Sequence, residues 1–352
     1  MQAGTNRAVC FTLWFSAHNN PRHDDLFSRL AEVVRFYKVT LSRRRVLRGL
    51  QYRAWRALSP SVIYPGVLRY LSRRYDTLLS VDYRQIPAWP NRESVVVDMD
   101  DPLFTPAEAR LLNLPQVKVV VVTTQKAKAL FQQLGVTRPI CVIPQGVSVE
   151  RIDAQKIQEI RRRFKEDREL VVGFHAPTLT LSCDGPGRAR RGMDDLDFLF
   201  DATAKAREVE SRLSLWLLGV PSKSVEQYAA GKPWIKLFGY VPFSDVLNYV
   251  SNFDIGAYGR TCIDPIRFRV KIAEYMACGV PVVSTAVPES FILNEASCGI
   301  ICSTGGDFSK AMVELAESPE MRSELGKAGR AYTEAHLGWS MLEQRYRSIL
   351  TG

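Results

Sequence analysis

Short apolar runs alternating with amphipathic stretches of helical period restrict the fold of this chain more than any other feature. In the first half the runs fall at 9–14, 77–81, 94–97, 117–122 and 140–143, with helical patterns such as 125–134 between them. In the second half they fall at 170–174, 213–218, 234–238, 254–257 and 280–284. Strands that alternate with helices build a parallel, doubly wound sheet, so the fold class is α/β. A chain of 352 residues exceeds one core and predicts two such domains. The turn residues of Pro144-Gln145-Gly146-Val147-Ser148-Val149-Glu150 place the boundary there, ahead of a charged helix over 154–167. Its triplet Arg161-Arg162-Arg163 reads as a solvated helix face. Ligands of open parallel sheets bind at the carboxyl ends of the strands. The first such loop reads Ser16-Ala17-His18-Asn19-Asn20 rather than G-x-G-x-x-G, and no G-x-x-x-x-G-K-[ST] occurs. Dinucleotide oxidoreductases and P-loop enzymes are thereby disfavoured.

With 46% hydrophobic and 24% charged residues the composition is that of a globular protein. Seven scattered cysteines, none in a C-x-x-C pair, suit neither a disulfide framework nor a zinc site, and predict a reducing, cytoplasmic compartment. The apolar run 8–17 is long enough for a signal-peptide core or a buried first strand; the strand is the preferred reading. The net charge of +10 is concentrated: from Arg35 to Arg74 there are eleven Lys or Arg residues and no acid, interleaved with aromatic residues. Within it, 41–58 forms a helix with Leu47, Leu50, Ala54 and Leu58 on one side and arginines elsewhere. An anionic membrane surface, nucleic acid or an acidic substrate are partners of such a segment. Nucleic acid is the weaker candidate, because no recognised binding module is present.

Chemistry concentrates in two stretches. Arg267 to Cys278 is a helix that puts Arg267, Lys271, Glu274 and Cys278 on one face, with Gly279 as its C-terminal cap. Lys271 and Glu274 read either as a surface i,i+3 ion pair or as functional groups. The run Ser94 to Phe104 drives a strand into Asp98, Asp100 and Asp101. Clustered acids at a strand end are costly without ligands or partners. A metal-binding D-x-D and capping of the segment that begins near Pro102 are the alternatives.

The stretch from Phe268 to Val283 resembles the retaining glycosyltransferases of family 4 (glycosyl transferases group 1), whose GT-B fold has two Rossmann-like domains facing a cleft. Phe268, Val270, Glu274, Met276, Ala277, Gly279, Pro281, Val282 and Val283 fall on the pattern E-G-F-G-L-x-x-x-E-x-M-A-x-G-x-P-V-V, and Lys271, Glu274 and Tyr275 match the branch P-L-K-L-x-E-Y-x-A. Ile266 stands where the first glutamate would be, and Arg267 and Arg269 replace two glycines. The resemblance implies an acceptor-side domain over 1–148, a nucleotide-sugar domain over 149–336, and a last helix, 337–352, that crosses back. It implies that Glu274 accepts hydrogen bonds from the donor's ribose, that Tyr240 and Val241 lie by the base, and that Arg191, with Arg190, meets the diphosphate beside Lys271. Arg267 and Arg269 are further diphosphate candidates, and His175 approaches the donor phosphates. Asp100 takes the place nearest the reacting sugar, Asp98 or Asp101 orients the loop or the acceptor, and His18 and Asn19 lie on the acceptor side.

The expected activity is hexosyl transfer from a nucleotide-diphosphate sugar to a hydroxyl acceptor, lipid-linked or a glycan. It is expected to proceed with retention and with neither a metal nor a cofactor, the nucleotide sugar being a substrate. Residues 35–74 are expected to hold the protein on the inner face of a membrane. A nucleotide-sugar epimerase or phosphorylase of the same fold, and a catalytically silent GT-B protein that binds membrane or partner, are the alternatives.

Overall fold

A computed structural model describes residues 8–14, 21–40, 45–100, 102–184, 196–259, 270–287 and 290–352. The chain divides into two compact units, 1–146 with 339–352, and 147–338. In the first, β1 (Ala8–Trp14), β2 (Val34–Thr40), β3 (Thr77–Ser80), β4 (Val95–Met99), β5 (Val117–Val122) and β6 (Ile140–Val142) form one parallel sheet in the order β2-β1-β3-β4-β5-β6. In the second, β7 (Leu170–Leu179), β8 (Leu213–Pro221), β9 (Ile235–Leu237), β10 (Ile255–Tyr258), β11 (Val282–Thr285) and β12 (Gly299–Cys302) are ordered β12-β11-β10-β7-β8-β9. Each order reverses direction once, between β1 and β3 and between β7 and β10, and such switch points open crevices at the carboxyl ends of the strands.

The apolar run near the amino terminus is a buried strand that pairs with β2 along its whole length, Ala8 opposite Val34 and Trp14 opposite Thr40. Strands β2 and β12 are additions to the sequence expectation; both are sheet edges. The helix Trp339–Thr351 belongs to the first unit, where Trp339, Leu342, Tyr346 and Leu350 pack with Ala8, Cys10, Leu26 and Val121. Polar bonds fasten it too: Lys118 Nζ donates to the Ile349 carbonyl at 3.0 Å and Arg345 Nη2 to that of Val142 at 2.7 Å.

In the second unit, residue parity assigns the two faces of the sheet. Leu170, Val172 and Phe174 of β7 join Leu213, Leu215 and Leu217 of β8 in a core closed by the helices Leu196–Arg207 and Gly305–Glu317. Val171, Trp216 and Leu218 point the other way, into a core closed by the helices Val246–Val250 and Val270–Ala277. Gly173 shares the second face, and its missing Cβ makes room for the Phe253 ring. Arg161, Arg162 and Arg163 are solvent-exposed, as their position on a charged helix predicts.

Candidate functional site

The helix Val270–Ala277 is the element around which the second unit's site is built. Ile272, Ala273, Glu274, Tyr275, Met276 and Ala277 are all buried, so this helix has no wide polar face. Its end is a Schellman motif: Gly279, at φ 68°, donates to Met276 O at 3.0 Å, and Val280 donates to Tyr275 O at 3.0 Å. Arg330 Nη1 adds a bond to the Ala277 carbonyl at 2.6 Å. Gly326 lets the helix Pro319–His336 come close, since a Cβ there would lie 2.1 Å from Gly279 O.

Glu274 is only 4% exposed, so the surface ion-pair reading does not hold. A carboxylate in such surroundings is costly unless it is partnered. Its partner is on β7: His175 Nε2 lies 3.3 Å from Glu274 Oε2, with the imidazole itself buried. The sequence reading sets the same histidine near the donor phosphates. The Tyr275 ring meets the imidazole edge to face, centroids 5.5 Å apart at 87°. Lys271, one turn before Glu274, holds its ammonium 5.5 Å from the centre of the Phe174 ring. Burial first, and then the Glu274 charge, push the Cys278 thiol up to about 12 against the opposing effects of Ser251 and Arg330, so Cys278 is an inert neighbour.

On the far side of β7, Gly219 N donates to Gly239 O at 2.7 Å. Both glycines have positive φ, 141° and 67°. Tyr240, which follows, is 66% exposed, while Val241 packs on the core beneath. The structure therefore gathers Glu274, Lys271 and His175 at the β7 to β10 switch point and presents Tyr240 at the neighbouring strand end. Arg190, Arg191, Arg267, Arg269, Asp101, His18 and Asn19 lie outside the described residues.

In the first unit Asp98 is the penultimate residue of β4 and is 2% exposed, whereas Asp100 is partly exposed just beyond the strand. Cys10 on β1 has its thiol pushed upward by burial and then by the Asp98 charge, against the opposing charge of Lys38. The next helix, Pro106–Leu112, is capped by Thr105 and Glu108 in a reciprocal capping box, so Asp98 and Asp100 do not serve as its cap. Among the described residues no group of three or more His, Cys, Asp or Glu side chains is arranged to hold a metal ion.

A polar cluster that the sequence reading does not single out sits past β3. Asp82 accepts from Tyr64 Oη at 2.7 Å and from Arg84 Nε and Nη2 at 2.8 and 2.6 Å. Buried Gln85 donates to Phe11 O at 2.6 Å. The available signal was Asp82-Tyr83-Arg84-Gln85 directly after a strand, at the β1 to β3 switch point.

Two six-stranded doubly wound sheets of this kind are the GT-B glycosyltransferase fold. Residues 186–318, within the second unit, match the model of the family described as Glycosyl transferases group 1. Over 219 residues the chain is 26% identical to a GDP-mannose-dependent monoacylated alpha-(1-6)-phosphatidylinositol monomannoside mannosyltransferase of Corynebacterium glutamicum; the match covers 59% of this chain and 55%, about half, of that protein. Among solved structures, Anabaena HepE in complex with UDP and glucose superposes with a TM-score of 0.71 at 16% identity, covering 98% of this chain and 99% of its own. WaaG, a glycosyltransferase involved in lipopolysaccharide biosynthesis, superposes at 0.68 with 15% identity, covering 98% and 100%.

Proposed function

We propose that this protein is a glycosyltransferase that moves a hexosyl group from a nucleoside-diphosphate sugar to a hydroxyl acceptor. The observation that carries the reading is Glu274, a carboxylate buried at the switch point of a sheet within the family-matched segment. A carboxylate buried at such a crevice is a candidate to bind a ligand. In the proposed site Glu274 accepts hydrogen bonds from the ribose, and Tyr240 and Val241 border the base. Lys271, Arg190 and Arg191 neutralise the diphosphate, with Arg267 and Arg269 as further cations.

On the acceptor side, Asp100 lies by the reacting sugar, with Asp98 and Asp101 orienting its loop and His18 and Asn19 bordering the acceptor. Transfer is proposed to proceed with retention and without a metal: the bond from the sugar's C1 to the diphosphate oxygen breaks, the acceptor oxygen bonds to C1 on the same face, and its proton passes to the departing phosphate oxygen. Electrostatic stabilisation of that oxygen is the main catalytic contribution.

A panel of UDP, GDP, ADP and dTDP titrated by calorimetry tests the reading. At least one ribonucleoside diphosphate is expected to bind, and transfer from the matching sugar nucleotide should give a product whose anomeric configuration, read by NMR, equals that of the donor. A protein that binds none of the four is not a transferase of this kind. The replacement of the family's first glutamate by Ile266 favours, as a second reading, a protein that binds nucleotide without transferring sugar; binding without turnover is its signature.

The acceptor is proposed to be lipid-linked, reached from an anionic leaflet. Arg35, Lys38, Arg53, Arg69, Arg73 and Arg74 are exposed in the first unit, along with Leu50 at 59%, Val62 at 62% and Tyr70 at 52%. Basic residues near an anionic leaflet contribute about 1 kcal/mol each. Among the described residues no helix is long and apolar enough to cross a membrane. Sedimentation with phosphatidylserine vesicles should therefore be strong at low salt and lost at high salt; no pelleting at low salt removes the membrane proposal.

A further inference from the structure

We propose that His175 is a positioning residue for Glu274: its imidazole sets the orientation of the carboxylate and so the affinity for the donor's ribose. The proposal rests on the reading of Glu274 given above. Both groups are nearly sealed from solvent, at 8% and 4%, and His175 Nε2 lies 3.3 Å from Glu274 Oε2. A carboxylate has about four lone-pair sites, so an imidazole on Oε2 leaves capacity for two sugar hydroxyls.

The imidazole is itself held from several directions. Tyr275 stands edge to face against it, and Tyr275 is wedged in turn, with its hydroxyl 3.4 Å from Ala257 O and its ring over Gly256, where a Cβ would lie 2.6 Å away. The backbone is aimed by a β-bulge. His175 pairs with Leu218 and Thr178 with Val220, so β7 carries one more residue than β8 across this interval. The bulge fits because of Gly219, at which a Cβ would stand 1.9 Å from Ala176 O.

Beyond the bulge the strand is tied down again. Ser222 N donates to Leu179 O at 2.8 Å, and Asp184 accepts from the hydroxyls of Ser222 and Ser224 at 2.7 Å each. An ordinary core histidine needs only a satisfied nitrogen. Here a bulge, a glycine and an aromatic wedge all direct one ring at one carboxylate.

The test uses the full chain and whichever of UDP, GDP, ADP or dTDP the wild type binds. His175→Ala should raise the Kd about tenfold, because the carboxylate loses the polar group that stands 3.3 Å from its Oε2, and His175→Gln, which puts an amide N–H at similar reach, should recover most of it. In a Glu274→Ala background, His175→Ala should change Kd less than about twofold, because its effect passes through the missing carboxylate. A His175→Ala Kd equal to that of wild type, or an equal loss with and without Glu274, overturns the positioning role. If His175→Ala does not fold, His175→Asn and His175→Gln make the same comparison, since only the longer amide reaches the carboxylate; equal affinities then overturn it. A wild type that binds no nucleotide removes the donor reading itself, whereas binding that is lost in Glu274→Ala but kept in the His175 variants removes the positioning role alone.

Discussion

Glu274→Ala is expected to weaken nucleoside-diphosphate binding by about 100-fold, since each of two hydrogen bonds from ribose to a carboxylate is worth about 1.5 kcal/mol or more. The wild type should also discriminate against the 2′-deoxy nucleotide, and the variant should not. Stability should move the other way or not at all. The carboxylate sits in a helix whose Ile272, Ala273, Tyr275, Met276 and Ala277 are buried around it, and a charge there is a cost to folding. Calorimetric titration with a melting curve on the same sample checks both halves. A melting point far below wild type, with the nucleotide Kd unchanged, would mark Glu274 as a structural residue.

Gly173→Ala is expected to be among the most damaging single methyls in the second unit. The new Cβ would lie 1.9 to 2.1 Å from three atoms of the Phe253 ring, which is itself buried against the sheet. Neither partner can withdraw: β7 is paired with β8 on one side and β10 on the other. Overpacking without an escape costs about 3 kcal/mol, which lowers the melting temperature of a unit this size by roughly 6 to 12 °C. Gly66→Ala, on an exposed stretch of helix with nothing within 4 Å, is the control and should be neutral or slightly stabilising. A melting temperature for Gly173→Ala within about 2 °C of wild type would mean that Phe253 can turn aside.

The strands legible in the sequence are those whose apolar runs are nearly continuous, as burial on both faces demands. Both that escaped are edges. β2 reads Val-Arg-Phe-Tyr-Lys-Val-Thr, where charge breaks the run and the surrounding arginines suggest a surface helix. β12 has four residues, three of them only partly buried. The site was legible where it is local: Lys271 and Glu274 stand on one helix with a recognisable cap. His175 was visible as a residue, but its approach to Glu274 was not, because the two stand on separate elements and no spacing within β7 reports a contact between them. Tyr275 was visible only as a match to the family pattern, and its ring stands edge to face against the imidazole.

The helix Trp339–Thr351 follows the whole of the second unit in sequence yet fills the first unit's core. During synthesis the ribosome must therefore deliver residues 147–338 before the earlier unit can close, a wait of roughly 10 to 40 s at cellular elongation rates. Through that interval the seats of Trp339, Leu342, Tyr346 and Leu350 stand open as apolar surface beside Ala8 and Leu26, and at its end the later unit has every residue that it needs while the earlier one still lacks its last helix. The domain begun first is finished last, and the nascent chain is most exposed to aggregation and most in need of a chaperone on its amino-terminal side.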